Sequence, residues 1–115
     1  MTGKTSPRSA EHYTWGQKCD GWHLVNTDAL SVIEERMPPG TFETKHRHQR
    51  SRQFFYVLEG TLAMTIDGAD ILIMAGEGLE IAPGVEHQAK NTSAADVRFL
   101  VVSQPPSHGD RIVST

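Results

Sequence analysis

The stretch Gly40–Gly60, GTFETKHRHQRSRQFFYVLEG, decides how the chain is read. Its later part, Gln53–Leu58, is aromatic and β-branched, a composition that suits a half-buried pleated surface. It stops at Glu59-Gly60, a turn signal. The earlier part, Thr41–His48, reads as another strand. Outward toward the C-terminus, Thr61–Asp67 alternates, with Leu62, Met64 and Ile66 on one face. Asp67-Gly68 then signals a hairpin into Ile71–Met74. Ala75–Gly78 is a further turn, Leu79 and Ile81 are apolar before Pro83-Gly84, and Val97–Val102 is the last clear strand. Toward the N-terminus, Leu30–Met37 carries Val32 and Ile33 and stops at Pro38-Pro39-Gly40. No segment sustains an i, i+3, i+4, i+7 apolar pattern for the length a helix needs. Short strands separated by regular turn signals mean an all-β sandwich or barrel.

With 115 residues the chain has room for one domain. The apolar share, 37% plus ten glycines, is enough for a packed core. A net charge of −3 argues against wrapping nucleic acid, because phosphate neutralisation needs clustered surplus Lys and Arg. No stretch approaches the ~18 apolar residues of a membrane span, and no apolar signal segment is visible near the N-terminus. The single cysteine, Cys19, cannot form an internal disulfide. The expectation is a cytoplasmic protein with no nucleic-acid or membrane partner. Residues 1–12 read as a flexible arm and 13–104 as the barrel. Residues 105–115 read as a tail opened by Pro105-Pro106, in which Arg111–Val113 could add an edge strand.

Three of the six histidines stand out. His46 and His48 are spaced i, i+2, so on a strand they share a face with their backbones about 7 Å apart. Imidazole is a frequent ligand for Zn, Ni, Cu and Fe. His87 follows some forty residues later, after the Pro83-Gly84 turn, and a third nitrogen from the opposite wall of a small barrel is geometrically reasonable. Phe42 shares the parity of His46 and His48; pocket lining and core packing both stand as readings of it.

The spacing of Gly40, His46, His48, Gln53 and Gly60 resembles the first motif of the cupin superfamily. That of Gly76, Pro83-Gly84, His87 and Asn91 resembles the second. The resemblance implies a double-stranded β-helix, or jelly-roll, barrel with a metal in its mouth. It also implies a homodimer, as in many relatives. Ala82 stands where the family has Pro. Gln53 stands where the family has its carboxylate ligand, Glu. The implied ligand set is His46, His48, Gln53 and His87 around one divalent transition metal per chain (Zn, Ni, Fe or Mn). With a neutral amide in place of a carboxylate, water bound to such an ion would be more acidic and the metal held more weakly.

The resemblance further implies a small oxygenated organic molecule as substrate or ligand. A metal-dependent enzyme of dioxygenase, isomerase or lyase type and a non-catalytic binding or sensor module both remain open. No catalytic residue is assigned. Glu35, Glu80 and Glu86 lie near the relevant strands, and Glu80, between Leu79 and Ile81, is expected to face outward. Phe54, Tyr56 and Leu58 form the face opposite Gln53, packed on a second sheet or a partner. The aromatic segment Trp15–His23 is expected to fold back on the barrel or across a dimer seam, with Cys19 an inert, half-buried thiol. His12 and His108 are read as tail residues without function.

Overall fold

The computed structural model describes residues 3–114. Eleven strands are present among them: β1 (Glu11–Trp15), β2 (Cys19–Asn26), β3 (Ser31–Met37), β4 (His46–His48), β5 (Arg52–Glu59), β6 (Thr61–Ile66), β7 (Ala69–Met74), β8 (Gly78–Ile81), β9 (His87–Lys90), β10 (Val97–Gln104) and β11 (Arg111–Val113). They form two antiparallel sheets, in the orders β1-β2-β3-β10-β5-β8 and β11-β4-β9-β6-β7. The all-β jelly-roll expectation holds. No helix among the described residues is long and apolar enough to cross a membrane.

The two-residue period of the strands builds the core. Along β5, Gln53, Phe55 and Val57 are buried while Phe54, Tyr56 and Leu58 are exposed. Along β10, Val97, Phe99, Val101 and Ser103 are buried. From the facing sheet come Leu62, Met64, Ile73 and Ala89, and Cys19, Met37 and Ile81 complete the cluster. Each large apolar side chain sealed between the sheets contributes about 1.5–3 kcal/mol relative to exposure. The β6–β7 hairpin turns at Asp67 and Gly68, both with positive φ (49° and 83°), the geometry of a two-residue turn whose twist matches its strands. Gly60 is required more strictly, since φ is +83° and a Cβ there would collide with the Asp96 carbonyl.

Three features of the strands bear on the site, the first a departure from expectation. Thr41–His48 is not one strand; only His46–His48 is, with an isolated bridge between Phe42 and Lys90. The Glu43 carboxylate accepts the Ala89 N–H at 2.8 Å in place of a backbone carbonyl, while the Glu43 N–H still donates to the Ala89 carbonyl at 3.0 Å. The aromatic N-terminal segment does fold back on the barrel, as the β1–β2 hairpin laid along β3. β1 includes Glu11 and His12; His12 Nε2 lies 2.7 Å from Asp20 Oδ1, and its ring lies 5.3 Å from that of Trp22. Cys19 is fully buried rather than half-buried. At the other end, β11 pairs along β4 and becomes the sheet edge.

Candidate metal centre and its cavity

β4 is three residues long, and its pleat sends His46 and His48 inward while Arg47 faces solvent. His87 opens β9, in register with His46 on the neighbouring strand. The third imidazole therefore comes from the same sheet and not from the opposite wall, because β9 pairs directly with β4. The ring centroids lie 4.8 Å apart for His46 and His48, 4.5 Å for His46 and His87, and 5.7 Å for His48 and His87. One ring nitrogen from each lies within 4.8 Å of the other two, a spacing that suits a shared ion.

The main chain fixes the rings. His46 Nδ1 lies 2.6 Å from the Thr44 carbonyl, His48 Nδ1 3.1 Å from that of Asp110, and His87 Nδ1 3.0 Å from that of Val85. A carbonyl only accepts, so each Nδ1 donates and each Nε2 keeps its lone pair. Burial also disfavours the charged ring. It pushes His46 down to about 4 and lowers His48 and His87 as well. Three neutral imidazoles are the form a cation requires.

Across the barrel, β5 places Gln53 on the wall of the same cavity. Its Nε2 donates to Ser103 Oγ at 3.1 Å, which orients the amide. Gln53 Oε1, His48 Nε2 and His87 Nε2 are buried and have no hydrogen-bond partner among the described residues. Buried polar atoms left this way are costly unless something else satisfies them. A set of imidazole nitrogens and an amide oxygen has the chemistry of a divalent d-block site.

The cavity has a volume of about 510 Å³. Besides His46, His48 and Gln53, its wall includes Glu35 and Glu43. Glu35 is half-buried, and desolvation, then the charge of Glu43, pushes its carboxyl up to about 8 against the hydrogen bond from Tyr13. Desolvation likewise raises Glu43 to about 7, opposed by the Ala89 N–H and by Arg111. The Tyr13 hydroxyl, donating to Glu35 Oε2 at 3.2 Å, is raised by burial and by that neighbour.

Of the three glutamates named from sequence, Glu35 alone faces the cavity. Glu80 points outward and pairs with Arg52 at 2.6 Å, as expected, and Glu86 is engaged by the Ser114 hydroxyl. The inward direction of Glu35 was readable from its parity with Ser31, Ile33 and Met37 in β3. Glu43 lies in the irregular run before β4 and carried no such signal, nor did Tyr13. His108, read as a tail residue, lines the cavity together with Arg111.

Comparison with known proteins agrees with this architecture. An uncharacterized protein of Methanocaldococcus jannaschii is 32% identical over 81 residues, 70% of this chain and 65% of its own. The HTH-type transcriptional regulator PuuR of Escherichia coli is 33% identical over 76 residues, 66% of this chain and 41% of its own. The chain thus spans less than two thirds of these two relatives. An oxalate-binding protein of Thermotoga maritima is 31% identical over 85 residues, 70% of each chain. In fold, an RmlC-like cupin from Shewanella frigidimarina superposes with a TM-score of 0.82 at 20% identity, covering 95% of this chain and 96% of that one. Residues 33–103, from β3 through most of β10, match the cupin domain family, and the chain belongs to it.

Proposed function

We propose that this chain is a metal-binding cupin that holds one divalent transition metal on His46, His48, His87 and Gln53 and binds or transforms a small oxygenated organic molecule beside it. The observation that carries this reading is the cluster of three imidazoles, all locked by main-chain carbonyls, together with the buried, unpartnered His48 Nε2, His87 Nε2 and Gln53 Oε1. A metal held there supplies Lewis acidity toward a ligand oxygen. The chain's own residues do the rest: the carbonyls of Thr44, Val85 and Asp110 aim the rings, and Ser103 aims the Gln53 amide. Glu35 and Glu43 can hold or release a proton near neutral pH, which suits either turnover or ligand recognition.

A second reading, a sensor without turnover, is favoured by the match to a transcriptional regulator in which the matched region is under half the protein. Turnover of a screened ligand by metal-loaded protein decides for the enzyme. A ligand that raises Tm and is never consumed decides for the sensor. In either reading a second copy of the chain covers the apolar outer face of β5, where Phe54, Tyr56 and Leu58 are exposed.

Elemental analysis of the purified protein tests the metal. About one divalent ion per chain is expected, as binding to a preformed site with deprotonated ligands is strong. His46→Ala and His87→Ala should lose the ion, and Gln53→Leu should retain it more weakly. Wild-type protein that takes up no zinc, nickel, iron or manganese when these are supplied would overturn the reading.

A further inference from the structure

The cavity is longer than a metal site needs. Gln53 pairs with Ser103, which pairs with Ser31, while Glu35 pairs with Phe99, which pairs with Val57. Glu35 is therefore four residues along and two strands across from Gln53. At ~3.3 Å per residue and ~4.8 Å per strand, the two backbones stand about 16 Å apart. Both side chains line one cavity, so it has two polar ends.

Four aromatic residues contribute to its wall. Tyr13, Trp15, Phe42 and Phe55 all line the cavity. The Phe55 ring lies 6.2 Å from that of His87, edge to face, so the aromatic wall begins beside the imidazoles. Phe42 lines this wall and is 49% exposed. Planar π faces favour planar partners, stacked or edge-on, over flexible aliphatic ones.

The far end is also specific. Tyr13 occupies Glu35 Oε2, and the Glu35 carboxyl forms no other hydrogen bond among the described residues. Its other oxygen is free for a ligand. Near neutral pH burial keeps the carboxyl protonated, so it can donate as well as accept. Glu43, whose charge bears on Glu35, is itself occupied by the Ala89 N–H through Oε2.

We propose that the cavity takes a planar, oxygenated ring compound with an oxygen at each end: an anionic oxygen toward His46, His48 and His87, and a hydroxyl or carbonyl oxygen hydrogen-bonded to Glu35. This rests on the metal-site reading above and names the ligand class for it.

The test is calorimetric titration of zinc-loaded protein at neutral pH with three probes. 6-Hydroxy-2-naphthoate carries a carboxylate and a hydroxyl at opposite ends of a two-ring plane, 2-naphthoate lacks the hydroxyl, and adipate is an aliphatic dianion. The hydroxynaphthoate should bind at least about tenfold more tightly than either of the others, the usual scale of one well-placed buried hydrogen bond or stacking contact. Glu35→Leu should make the two naphthoates equal, whereas Glu35→Gln, whose amide still donates and accepts, should keep the preference. Phe42→Ala should weaken both naphthoates and leave adipate unchanged. Adipate binding as tightly as the hydroxynaphthoate, or a hydroxyl preference that survives Glu35→Leu, would overturn the proposal. The wild-type probe comparison stands even if a variant fails to fold. Zinc content is measured on the same samples: absence of zinc from the wild type sinks the metal reading, while zinc present without a ring preference sinks the ligand class alone.

Discussion

A carboxyl that keeps its proton in the folded state makes stability depend on pH. Glu35 holds its proton up to about 8 when folded, and its ordinary value is 4.5. The folded protein therefore binds more protons than the unfolded chain between those values, and stability falls as pH rises through that window. Glu43 acts in the same direction, but only up to about 7. The groups facing Glu35 are Tyr13 from β1, Cys19 from β2 and Glu43 from the run before β4; Arg111 from β11 bears on Glu43. Above neutral pH Glu35 is the main carboxylate still titrating. Metal-free protein should thus melt at progressively lower temperature from pH 7 to about pH 8, and Glu35→Gln should flatten that decline. Thermal melts across this range check it; an unchanged slope in the variant would place the proton elsewhere.

At the scale of elements, one side chain ties the start of the C-terminal strand to the loop that follows β4. The Asp110 carboxylate accepts the N–H groups of Gln49, Arg50 and Ser51 at 3.0, 2.9 and 2.8 Å, and these bonds hold its carboxyl below the usual carboxylate range. Its carbonyl receives His48 Nδ1. β11 then pairs in register with β4, Arg111 opposite His48. Asp110→Ala should loosen this clip and let the His48 ring turn, weakening zinc by about tenfold to a hundredfold, the scale seen when a residue orienting a metal ligand is lost. Asp110→Asn, which keeps an acceptor, should fall between. Chelator competition measures it, with melting of the metal-free variant as the check on folding. Little of this clip was legible in sequence. Arg111–Val113 could be suspected as a strand, but a lone Asp after a Pro-Pro-containing turn carries no sign of the loop it will cap. The strands with strict alternation, β5, β6 and β10, were legible because the period of two shows which face is buried. His46 and His48 were legible for the same reason. The partner strand of His87 was not, since strand order depends on long-range pairing that local pattern does not encode. Glu35 lay between these cases: its face was readable in β3, but the cavity it faces was not.

At the scale of the whole molecule, the same alternation that fills the core leaves apolar residues outside. Phe54, Tyr56 and Leu58 alternate with Gln53, Phe55 and Val57, and are 42%, 37% and 43% exposed. The Phe54 and Tyr56 rings lie side by side with centroids 6.3 Å apart, and the Phe54 ring lies over Gly78 of the edge strand β8, where a Cβ would collide with it. The patch thus runs toward an open sheet edge, the kind of surface that proteins normally cover or pair. A two-fold dimer would set this patch against its own copy and bury both at once. Light scattering at micromolar concentration should give twice the 12.7 kDa chain mass. Tyr56→Lys should shift the population to monomer, because placing like charges face to face across a desolvated two-fold contact is strongly unfavourable. His46, His48 and His87 lie inside the barrel, so the Tyr56→Lys monomer should still bind zinc. A wild-type species of 12.7 kDa under the same conditions would show that this face stays open to water.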